Sequence, residues 1–192
     1  MTPIHSHFHI IDLKLGGFDL EDAHDIPAMS SILPSLQHFD LTCRLAVSAD
    51  IHPVDSFKNT LDALFPPAAG FPLDSLKTVS ITLRTCMEEF HGPGFASRVF
   101  DRFIDPARYP ALASFAFKYQ HFSDFSQWPE PECTIESLGA AQQLVEYQAD
   151  FRHFVAKAPE RLRIRFGLVG DRLGALKSLH ANGGGQVEER YQ

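Results

Sequence analysis

His5, His7 and His9 alternate on the way into the first apolar stretch of this chain. Imidazole nitrogen ligates zinc, and alternate residues of an extended strand leave the same face, so three such side chains can converge on one ion. The chemistry would be that of a bound zinc ion; the plainer alternative is a solvated histidine cluster that holds no metal. A second group of candidates is cationic: Arg161, Arg163 and Arg165, with Arg152 and Lys157 nearby. Such a run either meets nucleic acid or, on a terminal strand, prevents edge-to-edge pairing, and the second role is the one expected here. Gly183-Gly184-Gly185 is followed by neither the lysine nor the helix of a phosphate-binding loop. No Gly-x-Ser-x-Gly nucleophile turn occurs either. The residues thus point to no catalytic group and no cofactor.

The elements that would position these residues repeat one frame. In Leu36–Cys43 the apolar residues are Leu36, Phe39, Leu41 and Cys43, and polar residues separate the last three. Such alternation predicts a strand with one buried and one open face. The frame returns at Phe8, Ile11, Leu13, Leu15, at Leu76, Val79, Ile81, Leu83 and at Leu112, Phe115, Phe117, Tyr119. A weaker copy is Ile164, Phe166, Leu168. Between the copies lie predicted helices. One is short, capped by Asp25 and running to Leu33. The next covers Phe57–Phe65, capped by Asp55 or Ser56 and ended by Pro66-Pro67, and a third covers Phe95–Ile104. The longest covers about Ile135–Lys157. Gly16-Gly17 is expected to end the first strand.

Strand, helix, strand is a crossover unit that makes parallel neighbours, and its repetition is the signature of a solenoid. Strands of a doubly wound sheet would be apolar on both faces, and these are not. The expected fold is therefore α/β: a short solenoid of about five parallel strands with helices on one side. One domain would span residues 1–180, followed by a polar, disordered tail over 181–192. In that arrangement the outward residues line up in columns across the sheet. One runs Asp12, Asp40, Ser80, Ala116, Arg165 and the next Lys14, Thr42, Thr82, Lys118, Gly167. The open face would carry His38, Asp40, Thr42, Ser80, Thr82 and Lys118, and these are the residues expected to bind a protein or peptide partner.

Seventeen basic against twenty-four acidic residues give 192 residues a formal charge of −7, which argues against nucleic acid or an anionic membrane as the main partner. Seventeen phenylalanines to one tryptophan indicate a core filled with rings that carry no polar atom. Cys43, Cys86 and Cys133 are widely spaced and odd in number, which fits reduced thiols better than a disulfide framework. With no basic-then-apolar leader and no long apolar run, the expected location is the cytoplasm or nucleus.

Pro34-Ser35-Leu36-Gln37-His38-Phe39-Asp40-Leu41-Thr42-Cys43 resembles the unit of leucine-rich repeats, and the segments from Phe71 to Ile81 and from Tyr109 to Phe115 resemble neighbouring units. The irregular intervals and the Leu61-Asp62-Ala63-Leu64 helix are most similar to the degenerate repeats of F-box-type proteins of mushroom-forming (basidiomycete) fungi. The resemblance implies a non-enzymatic substrate-recognition module of a ubiquitin-ligase receptor. No Leu-Pro-x-Glu segment of F-box type precedes residue 8, so a Skp-type adaptor is an expected partner only if an F-box is supplied elsewhere. The alternative is a metal-dependent hydrolase, because Ile4–Ile10 also resembles the first metal-binding strand of amidohydrolases. That resemblance would make Asp171 the catalytic carboxylate.

Overall fold

The computed structural model describes residues 12–19, 33–44, 53–65, 72–85, 99–121, 148–170, 177–185 and 188–191. Its centre is a sheet whose strands follow chain order: β1 (Asp12–Asp19), β2 (His38–Arg44), β3 (Thr78–Thr85), β4 (Ser114–His121), β5 (Arg163–Gly170), β6 (Lys177–Asn182) and β7 (Glu188–Tyr191). β1 to β5 pair in parallel, whereas β5–β6 and β6–β7 are antiparallel. The architecture is thus mixed α/β with a mostly parallel sheet. Helix α1 (Pro53–Leu64) lies between β2 and β3, and helical residues 148–157, here α2, precede β5. Two short 3₁₀ turns, Leu33–Ser35 and Asp101–Ile104, lead towards β2 and β4.

Alternation explains which side of the sheet is buried. Phe39, Leu41 and Cys43 of β2, Val79, Ile81 and Leu83 of β3, and Phe115, Phe117 and Tyr119 of β4 join one apolar core. The same core holds Phe57, Leu61 and Leu64 of α1, Phe100 and Phe103, and Phe151, Phe154 and Val155 of α2. The described helical residues therefore pack on one side. Phenylalanine does most of the filling. Phe65 stands edge-on to Phe39 at 4.8 Å and to Phe103 at 5.4 Å, while Phe100 lies 4.7 Å from Phe117 and 6.2 Å from Phe166. Tilted and edge-on rings at such separations add about 0.5–1.5 kcal/mol per pair to the area they bury.

A tight turn recurs just before the strands. The Leu36 N–H donates to the Leu33 carbonyl (3.2 Å), Leu76 to Leu73 (3.3 Å), Leu112 to Tyr109 (3.2 Å) and Leu162 to Pro159 (2.9 Å). Each turn tucks a buried leucine under the sheet before the chain extends. In the last copy the buried residue is Leu162, and the strand begins one residue later instead of two.

Several expectations are corrected. The five parallel strands expected are β1 to β5, but two antiparallel strands extend the sheet to seven, and the stretch expected as a disordered tail from residue 181 contributes the end of β6 and the whole of β7. Short, polar and antiparallel, these strands do not share the repeated frame. Gly16-Gly17 does not end β1, because the strand runs on to Asp19 and absorbs a register shift between Leu15 and Phe18. A glycine pair supplies the conformational freedom that such a bulge needs. α1 begins at Pro53, ahead of Asp55 and Ser56, as suits a residue whose missing N–H has no partner at a helix start. β5 is interior, so Arg163 and Arg165 guard no edge. The expected helix to Leu33 lies mostly outside the described residues, as do residues 135–147 of the long one and 95–98 of the third.

The β6–β7 turn is fastened to the rest. Gly183 donates its N–H to the Leu162 carbonyl and Gly184 to the Val155 carbonyl, each at 2.9 Å, so the glycine run satisfies a carbonyl in the last turn of α2. A Cβ on Gly183 would collide with the Pro159 carbonyl oxygen, and Gly184 has a positive φ of 68°. Only glycine meets both demands without strain.

Candidate functional site: the open face of the sheet

The strands expose on one side what they withhold from the core. His38, Asp40, Thr42, Ser80 and Thr82 are half-buried and Lys118 is exposed, and no described helix covers them. Register brings these residues together. Asp40 pairs with Ser80, Thr42 with Thr82, and Thr82 with Lys118, so the columns read from the sequence hold from β2 to β5. On β1 they shift by two residues: Asp12 stands beside His38, and Lys14 beside Asp40. On this face one row crosses all seven strands, Lys14–Asp40–Ser80–Ala116–Arg165–His180–Glu188.

Cross-strand bonds hold part of this face in place. His38 Nδ1 and Thr78 Oγ1 are 2.8 Å apart, and Lys77 Nζ donates to Gln37 Oε1 at 2.8 Å. Gly167 lies beneath its neighbour on β4, since a Cβ there would be in van der Waals contact with Lys118 Cγ at 3.7 Å. The Lys118 stem therefore lies over β5, with its ammonium carried towards solvent.

Beyond Lys118 the face is hollowed. An open groove of about 570 Å³ is lined by Ser114 and Ala116 of β4, Arg163 and Arg165 of β5, His180 of β6 and Glu188 of β7, among others. The sequence columns already contained Ala116 and Arg165. His180 and Glu188 escaped notice because they lie in strands that carry no repeat frame.

No family model, curated protein or solved structure matches the chain. The open face must therefore be judged on its own chemistry. It offers hydroxyls, one imidazole on each side and charges of both signs on short, register-locked spacings. Among the described residues no group of His, Cys, Asp and Glu side chains converges as a metal site. His5, His7, His9 and Asp171 lie outside the described residues. Cys43 faces the core, where burial pushes its thiol up to about 12 against the smaller lowering effect of a backbone hydrogen bond. A thiol kept protonated at neutral pH is no nucleophile. No described helix is long and apolar enough to cross a membrane.

On the opposite side of the molecule, ion pairs tie the helical layer together. Asp62 of α1 meets Lys58 at 2.8 Å and Arg102 at 2.5 Å, and Lys157 of α2 meets Asp101 at 3.0 Å. Burial alone would raise the Asp62 carboxyl. The Lys58 hydrogen bond and the Arg102 guanidinium overcome that and hold it below the usual carboxylate value. This side is a seam between helices.

Proposed function

We propose that the chain is a non-enzymatic, protein-binding module of short leucine-rich-repeat-like solenoid form, whose partner lies on the open face of the sheet. The observation that carries this reading is the register: His38, Asp40, Thr42, Ser80, Thr82 and Lys118 share one uncovered face, and three parallel strands fix their spacing. Polar side chains already ordered by neighbouring strands lose little further freedom when a partner arrives. The recurring turn before β2, β3, β4 and β5 and the one-sided helical layer are what stacked repeat units require, because each buries its apolar face only against its neighbours.

The resemblance of Pro34–Cys43 to a leucine-rich unit extends the proposal. The chain would be the substrate-recognition part of an F-box-type ubiquitin-ligase receptor, with a Skp-type adaptor engaged only through an F-box supplied elsewhere. The test is affinity capture with the wild-type chain, with Asp40→Lys/Lys118→Glu, and with Arg152→Glu on the exposed side of α2. The strand pair should lose the captured protein at unchanged melting temperature, whereas Arg152→Glu should retain it. Loss with Arg152→Glu and retention with the strand pair would place binding on the helical layer and overturn the proposal. Joining an F-box to the chain should then turn the captured protein into a ligase substrate; failure of that step alone would leave a plain binding module.

A further inference from the structure

The groove at the β4–β7 end of the open face has a chemistry of its own. Arg163 and Arg165 are both exposed, and no described carboxylate forms an ion pair with either. They stand on an interior strand, so protection against edge pairing does not account for them. Their directly paired neighbours on β4 are Ser114 and Ala116, small enough to leave the space between the two guanidinium groups open. Lys118, whose stem lies over Gly167, continues the positive line one step further along the strands.

We propose that this groove seats an acidic, extended peptide segment of the partner protein, with successive outward carboxylates on Arg163 and Arg165; the inference rests on the protein-binding reading above. Spacing supports it. Residues two apart on a strand are about 6.6–6.8 Å apart and face the same way, and an extended peptide presents alternate side chains with the same repeat. A guanidinium donates two parallel N–H bonds to a carboxylate, which gives geometric preference as well as attraction. Ser114 adds a hydroxyl at the floor for the segment's main chain or side chains. The flanks bound the strip across the strands. Glu188 closes the row on one side and Asp40 lies on the other, with a formal charge of −7 on the whole chain. A phosphate backbone tracking across the sheet would meet carboxylates at both ends, whereas a short acidic segment lies between them.

The test is a nuclear magnetic resonance titration of the full isotope-labelled chain with hexaglutamate, hexaglutamine and hexauridylate, at low and high salt. Hexaglutamate should shift amides at 114–118, 163–167 and 178–181, and should bind at least about tenfold more tightly than hexaglutamine, with the advantage lost at high salt. Arg163→Gln/Arg165→Gln should remove that advantage, while Arg152→Gln keeps it. Equal binding of the two peptides, shifts centred on α2, or no effect of the arginine pair would overturn the inference. Tighter binding of hexauridylate at the same amides would make the groove a nucleic-acid site instead. If the arginine pair has no effect while Asp40→Lys/Lys118→Glu still abolishes capture, the anionic preference fails and the protein-binding reading stands. If neither substitution matters, both fall.

Discussion

The two faces of one strand show how this protein divides its sequence. Within β2, Phe39, Leu41 and Cys43 are at most 1% exposed, while His38, Asp40 and Thr42, the residues between them, remain partly open to solvent. Backbone pairing is common to both sets, so the difference lies in what stands opposite each face. Inward residues of the sheet meet rings, Phe39 that of Phe65 just after α1 and Phe115 those of Phe103 and of Phe154 in α2, and outward residues of β2 pair with polar residues of β3. Folding is carried by the first face, which leaves the second free of the demands of core packing.

That division can be broken experimentally, most sharply on the buried side. Leu41→Ala and Ile81→Ala should each destabilise by about 2–5 kcal/mol in denaturant melts, as buried large-to-small changes do. A much smaller effect would mean that the helical layer does not seal the core. The ionic seam outside the helices should matter less. Asp62 has a side chain 27% exposed, so Asp62→Asn should cost under about 1 kcal/mol at neutral pH. Its carboxyl is held below its ordinary value, so the contribution is present above about pH 4. It should fade as pH falls through the lowered value, where the melting curves of wild type and variant converge. A difference that grew on acidification would contradict the pairing with Lys58 and Arg102. Smallest of all, Thr42→Ala and Thr82→Ala should stay within about 0.5 kcal/mol, because they change a face that nothing described packs against. Losses equal to those of Leu41 and Ile81 would show that both faces are buried.

The same contrast explains what could be read in advance. The strands β2, β3 and β4 were legible because period-two alternation fixes which side chains share a face, and parallel register then aligned Asp40 with Ser80 and Thr82 with Lys118. β1 was misaligned by two residues, and its glycine pair read as an end although it is an internal bulge. Local composition signals that glycine frees the backbone, but it does not say whether the freed chain turns or only slips. The final strands were not legible at all. Lys177–Asn182 and Glu188–Tyr191 offer little apolar surface of their own; the first is held by pairing with β5, the second by pairing with the first, and both by the docking of Gly183 and Gly184 on residues distant in sequence. The arginines of β5 changed meaning for the same reason, from guardians of an edge to the lining of a groove.

By itself the sequence determined the α/β alternation, the buried stripe of each central strand and the phenylalanine filling, because these follow from side-chain period and from the preference of rings for an apolar interior. Tertiary structure alone decided the bulge in β1, the reversal from parallel to antiparallel after β5 and the groove that the reversal encloses. Each depends on hydrogen bonds and steric room between segments far apart in the chain, such as the approach of Gly183 to Pro159, and no local pattern of residues encodes such an approach.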